Sequence, residues 1–299
     1  MTIRQTATTW YWAIRPFSLS ASVVPVVVGS ALAAHFGTFH WWLFVLVLLG
    51  SMLVQSGTNL TDEYADHAQG PALRQKIQAP YKVIARGLLT PRQVLTGALT
   101  CFGLAALIGV YLVLRTGWPL AFVCLASVVV AYGYSAGPYP LGNLGLGEPL
   151  VFVFMGPVMV LSSFYVQTHT LTWPAVWVSL PVGCLVTAIL VVNNLRDMEE
   201  DQHSGKVTLV ALWGRQPVIW FYDLLLLVAF GSVVVLVLSG VGAWGWLAPL
   251  LVLPRGVAVA RMVQYGTERA VLHQALQGTA KLHLQFGLLL ALALSPMVS

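Results

Sequence analysis

Two copies of one polar pattern, Asn-x-x-Asp-x-x-x-Asp, stand 135 residues apart in a 299-residue chain that has only ten acidic residues. They are Asn59, Asp62, Asp66 and Asn194, Asp197, Asp201, each followed four residues later by glycine (Gly70, Gly205). Leucine follows both asparagines (Leu60, Leu195), so five identities recur at identical offsets. In an α-helix, positions i, i+3 and i+7 share a face, and each set therefore projects as one line of oxygen donors. Carboxylate and amide oxygens suit a hard cation such as Mg²⁺, which keeps waters and binds through one or two carboxylates plus substrate phosphates. Two facing sets would hold metal ions around a diphosphate and neutralise charge on a leaving group.

Basic residues follow each copy and complete an anion site. Lys82 and Arg86 come after the first, with Arg74 and Lys76 in the same loop, while Arg196 and Lys206 lie in or after the second. Lys82, Arg86, Arg196 and Lys206 are the expected phosphate contacts. The competing reading makes the acids solvated helix ends and the basic residues an ordinary membrane-flanking loop. Duplication of the whole pattern argues for a metal site, because ionisable groups in an apolar chain are costly and mark function. Glu63, Glu199 and Glu200 point elsewhere around the helices.

The elements that must position these residues are membrane spans. Hydrophobic residues make up 58% of the chain and charged ones 8%, against roughly 25% charged in a soluble domain, and the mean hydropathy is +0.81. Apolar stretches of about 20 residues predict an all-α, polytopic protein with nine transmembrane helices. They cover approximately 17–36, 41–66, 92–114, 118–136, 147–168, 173–201, 216–239, 242–262 and 279–297. Nothing in the first span resembles a cleaved signal peptide. The whole of 1–299 reads as a single integral membrane domain of two pseudo-repeats, with motifs at 59–70 and 194–205. Nine spans place fourteen of the fifteen Lys and Arg residues on one side and leave Arg115 on the other. That asymmetry orients the acidic motifs towards the cytoplasm and implies a multi-pass protein of the cell (inner) membrane. The net charge of +5 is thus an orientation signal with an anion site, and gives no support to nucleic-acid binding.

The other reactive residues have quieter readings. Cys101, Cys124 and Cys184 sit inside expected spans without Cys-x-x-Cys spacing, as small buried hydrophobes. The seven histidines form no His-x-x-x-His pair, and His67 and His203 are loop histidines beside the motifs. Glycines 137, 142, 145 and 147 lack a P-loop ending, which makes a nucleotide site improbable. Trp41, Trp42, Trp118, Trp173, Trp244 and Trp246 fall at non-cytoplasmic ends and fit an interfacial belt. A transporter is the rival class, since carriers also repeat polar positions, but their acids belong near the midplane; here they gather at one face.

Several segments together resemble the UbiA-type intramembrane aromatic prenyltransferases. They are Gly57-Thr-Asn-Leu-Thr-Asp-Glu-Tyr-Ala-Asp66, Ala85-Arg-Gly-Leu-Leu-Thr-Pro91, Tyr134-Ser-Ala-Gly-Pro-Tyr-Pro-Leu141 with Gly145-Leu-Gly-Glu148, and Asn193-Asn-Leu-Arg-Asp-Met-Glu-Glu-Asp201 followed by Gly205-Lys206. The likeness spans nearly the whole chain and is strongest to the menaquinone branch, 1,4-dihydroxy-2-naphthoate polyprenyltransferases. It implies a bundle around a central cavity, capped on the cytoplasmic side and open laterally to lipid. Asn59, Asp62 and Asp66 would be the first Mg²⁺-diphosphate motif. Asp197 and Asp201, with Asn193 or Asn194, would be the second, and Tyr134 would lie near diphosphate and acceptor. The implied reaction transfers a polyprenyl group from an allylic polyprenyl diphosphate to dihydroxynaphthoate with decarboxylation, or alternatively to 4-hydroxybenzoate. Many relatives carry Asn-Asp where this chain has Asp62-Glu63, which leaves open whether Glu63 is a metal ligand.

Overall fold

An apolar chain whose backbone can satisfy its polar groups only within each segment folds into helices, and helices make up most of the described residues. The computed structural model describes residues 3–68, 81–135, 139–203 and 205–295, so Gly70, Arg74, Lys76 and Gly137 lie outside the described residues. The helices are α1 (Ile3–Ala13), α2 (Ser20–His35), α3 (Trp41–Ala68), α4 (Pro91–Thr116), α5 (Pro119–Ser135), α6 (Gly147–Val153) and α7 (Met159–Thr168). They continue as α8 (Trp173–Arg196), α9 (Met198–His203), α10 (Leu209–Trp213), α11 (Arg215–Leu238), α12 (Leu253–Tyr265) and α13 (Arg269–Leu294).

Seven segments are long and apolar enough to cross a membrane: Pro16–His35, Trp41–His67, Pro91–Thr116, Gly147–Thr168, Trp173–Arg196, Arg215–Leu238 and Trp244–Tyr265. The other two expected spans are helical as well. One is α5, short at 17 residues; the other is α13, which begins ten residues earlier than its apolar stretch. Sequence reading missed α1 altogether, because its apolar positions cover only one side of eleven residues.

The expected helix 173–201 is two helices. Its first part ends at Arg196, and Asp197 leaves helical geometry (φ −98°, ψ 10°) before α9 begins. Its carboxylate is gripped there by its neighbour Arg196 and by Arg269 of α13. Trp246 also departs from the interfacial belt. It is 1% exposed and packs edge-on against His35 at 5.5 Å, whereas Trp41, Trp42, Trp118, Trp173 and Trp244 are exposed.

Packing divides the bundle. The main core joins α2, α7, α8, α11 and α13, with Leu185, Phe164, Ile219, Tyr222 and Phe286 fully buried. A second cluster ties α1, the 83–89 loop and α4 around Leu60 of α3. Small residues let α8 approach the π-helical turn Phe154–Val158 between α6 and α7, a device common where helices meet in lipid. A Cβ added to Gly156 would meet Gly183 Cα at 2.4 Å, a backbone atom that has no rotamer to move. Gly156→Val is therefore expected to cost about 2 kcal/mol of stability, read as a lower unfolding midpoint in detergent.

Candidate active site

The first acidic motif sits near the C-terminal end of α3, where the helix runs unbroken through Asn59, Asp62 and Asp66. Arg15 Nη1 pairs with Asp62 Oδ2 at 2.7 Å, and Ser135 of α5 donates to Asp62 Oδ1 at 3.3 Å. Lys82 is hydrogen-bonded to Asp66 and stands 3.3 Å from Glu63 Oε2. Asn59 has a different task. Its Nδ2 donates to Ile14 O and Ser18 Oγ, both at 2.8 Å, and its Oδ1 accepts from Gln55. The amide thus clamps the Ile14–Ser18 elbow onto α3, while Asn59 itself lines the cavity with the two aspartates of its motif.

Arg15 occupies that elbow in the left-handed region (φ 54°), a conformation that costs a non-glycine residue energy and persists where the surroundings dictate it. Its guanidinium lies 4.7 Å from the Tyr81 ring centroid. Burial by itself would lower both the Arg15 guanidinium and the Lys82 ammonium. Asp62 beside Arg15 and Asp66 beside Lys82 outweigh that and raise both, so each stays charged at neutral pH.

The second motif straddles the α8–α9 break. Arg196 donates to both Asp197 oxygens, at 2.8 and 2.6 Å, and to Asn193 Oδ1 at 2.9 Å. Arg269 reaches Asp197 Oδ1 at 3.1 Å and also pairs with Glu200. Asn194, like Asn59, is committed to a neighbouring element: its Nδ2 donates to the buried Glu148 Oε1 at 2.9 Å. Gly205 adopts φ +72° and turns the chain so that Lys206 N returns to Asp201 O at 2.9 Å. Val207 then pairs with the 143–145 segment, donating to Asn143 O and accepting from Gly145 N. That bridge joins the loop after α5 to the loop after α9, which lines the same cavity with Lys206.

The motifs meet across one cavity of about 810 Å³ between α3–α5 and α2, α7 and α8. Asn59, Asp62, Asp66, Lys82, Tyr134, Asn194, Arg196, Asp197, Asp201 and Lys206 all line it. Arg86 does not, so its expected phosphate contact has no support in this geometry. The rest of the wall is mostly apolar, with Ser51, Gln55 and Thr58 among its polar positions, and follows α3 down to Val47. The 19 residues from Asp66 to Val47 correspond to roughly 28 Å along the helix. Tyr134 is packed close to Gly142 and Gly147, where an added Cβ would sit 2.9 Å from its Cε1 and 3.1 Å from its hydroxyl.

Sequence reading missed Arg15, Tyr81 and Ser135 as parts of this site. Arg15 and Tyr81 flank the first motif at distances along the chain that no helical period encodes. Among the described residues no three His, Cys, Asp or Glu side chains converge as a preformed metal cluster. Protein cations hold Asp62, Asp66 and Asp197 instead. Lys206→Ala is expected to raise the KM for an anionic donor roughly tenfold with little change in kcat, measured by steady-state kinetics.

Comparison with known proteins agrees with the architecture. The UbiA prenyltransferase family matches residues 22–283. The chain is 33% identical to the 1,4-dihydroxy-2-naphthoate octaprenyltransferase of Bacillus subtilis, over 94% of this chain and 90% of that one. It is 32% identical to the protein of the same name from Escherichia coli, over 98% of each. A UbiA homologue from Archaeoglobus fulgidus, solved bound to GPP and Mg²⁺, shares the fold with a TM-score of 0.65 at 11% identity, covering 94% of this chain and 99% of that one. A helical membrane bundle, a polar-capped apolar cavity and a family match over most of its length establish the chain as a multi-pass member of the UbiA prenyltransferase family.

Proposed function

We propose that the protein transfers a polyprenyl group from an allylic polyprenyl diphosphate to 1,4-dihydroxy-2-naphthoate, with loss of the acceptor carboxyl as CO₂, in menaquinone biosynthesis. The observation that carries this reading is the meeting of both acidic motifs at one end of a deep apolar cavity. The names of the Bacillus subtilis and Escherichia coli relatives support the acceptor. We place the protein in the cell membrane with this end towards the cytoplasm, following its basic residues.

The lining fits Mg²⁺. Among the described residues, its acidic side chains are Asp62, Asp66, Asp197 and Asp201 and its basic ones Arg15, Lys82, Arg196 and Lys206, four of each sign, so an incoming diphosphate adds negative charge that these residues alone do not offset. Asp62, Asp66, Asp197 and Asp201 would hold the metal, with the Asn193 oxygen beside them; all are the hard oxygen donors that Mg²⁺ prefers. Bound Mg²⁺ would supply Lewis-acid stabilisation of the departing diphosphate.

The chain's own residues do the rest. Arg15, Lys82, Arg196 and Lys206 bind and orient the diphosphate. Its bond to the allylic carbon breaks with the electron pair passing to oxygen, where fixed cations in a water-poor site stabilise the developing charge. The ring carbon of the acceptor attacks the allylic cation, and the carbon–carboxyl electron pair returns to the ring as CO₂ leaves. Apolar residues of α3, α4 and α5 house the isoprenoid and keep water from the cation. Mass spectrometry of products formed by purified protein with Mg²⁺, a prenyl diphosphate and either acceptor tests this. A prenylated, decarboxylated naphthol is expected. A prenylated 4-hydroxybenzoate would replace the acceptor, and absence of both product and donor binding would favour a transporter.

A further inference from the structure

Glu63 is the acid of the first motif segment that the reading above does not use. It follows Asp62 directly, so the helix turns it about 100° away from its neighbour, and it does not line the cavity. The side chain is 2% exposed, and a carboxylate buried in this way is costly unless paired and hydrogen-bonded. Both partners come from the loop after the first motif: the Ile84 amide donates to Oε1 at 3.1 Å, and Lys82 Nζ lies 3.3 Å from Oε2. Lys82 is thereby held between two acids one turn apart on α3, Glu63 and Asp66. Of these, only Asp66 faces the cavity.

We infer that Glu63 is a positioning residue for donor binding and is not itself a metal ligand: it docks the Lys82 loop onto α3 and keeps a counter-charge beside Lys82. Any ligand that draws Asp66 into the cavity takes away one of the two acids that hold Lys82. Glu63 stays, because its other oxygen is fixed to the Ile84 backbone. The ammonium then remains placed at the cavity wall with its charge balanced. This inference rests on the reading of the cavity as a prenyl diphosphate site, and it explains why an acid at position 63 is used without reaching the substrate.

Two variants test it, Glu63→Gln and Glu63→Ala, compared with wild type in detergent by hydrogen exchange of the Ile84 amide and by the Kd of geranyl diphosphate with Mg²⁺. Glu63→Ala is expected to speed exchange at Ile84 at least tenfold and to weaken binding about tenfold. Glu63→Gln keeps an acceptor for Ile84, so exchange should stay slow while binding still weakens. Unchanged Ile84 exchange in Glu63→Ala would overturn the docking role. Unchanged affinity in a folded Glu63→Gln would overturn the role towards Lys82. Failure of wild type itself to bind geranyl diphosphate would count against the proposed function, while the exchange comparison would still decide whether Glu63 docks the loop.

Discussion

Asp66→Asn and Asp197→Asn are each expected to lower kcat/KM about a thousandfold, the scale seen when a preorganised charge-stabilising group is removed, with little loss of fold. Asparagine is the informative replacement. Arg196 is almost buried, at 9% side-chain exposure, and donates to both Asp197 oxygens. Alanine would leave that guanidinium without its carboxylate, a change that destabilises strongly and would confuse folding with chemistry. An asparagine carbonyl still accepts from Arg196 or Lys82 while the charge that attracts a metal is gone. Steady-state kinetics beside thermal unfolding separates the two effects. Near-wild-type turnover in either folded variant would rule out a site that needs both motifs.

Chelation of divalent cations is the second large effect: transfer should fall to background with EDTA and return with added Mg²⁺. Among the described residues the cavity lining presents equal numbers of acidic and basic side chains, so a diphosphate entering without metal would face Asp62, Asp66, Asp197 and Asp201 across a medium where like charges repel strongly. Donor binding should therefore weaken together with turnover, which distinguishes a metal that binds substrate from one that acts only on the chemical step. Binding of labelled prenyl diphosphate with and without EDTA measures it. Metal-independent binding and transfer would remove Mg²⁺ from the site.

Much of this site was legible in the residues. The duplicated offsets of Asn59, Asp62, Asp66 and Asn194, Asp197, Asp201 are a local signal, and helical periodicity converts it into a face. Long apolar stretches define spans for the same reason, since a backbone in lipid must satisfy itself. Lys82 and Lys206 could be proposed as anion contacts because each follows a motif. Arg86, selected by the same reasoning, shows the limit of proximity in sequence: four residues from Lys82, it lies outside the cavity lining.

Composition and residue offsets specify a membrane bundle, two matched acidic motifs and the family that they resemble. Which side chains complete the site and which act behind it depends on contacts between distant segments. Arg15 joins Asp62 because the elbow between α1 and α2 is clamped by Asn59; that contact spans more than forty residues and has no period to announce it. The α8 helix stops at Asp197 because Arg196 and Arg269 both reach for that carboxylate, and a partner from α13 is invisible from the chain around Asp197. Glu63 and Asp62 are neighbours of like charge in the sequence. One helical step, about 100°, places one of them at the cavity and the other against the backbone of Ile84.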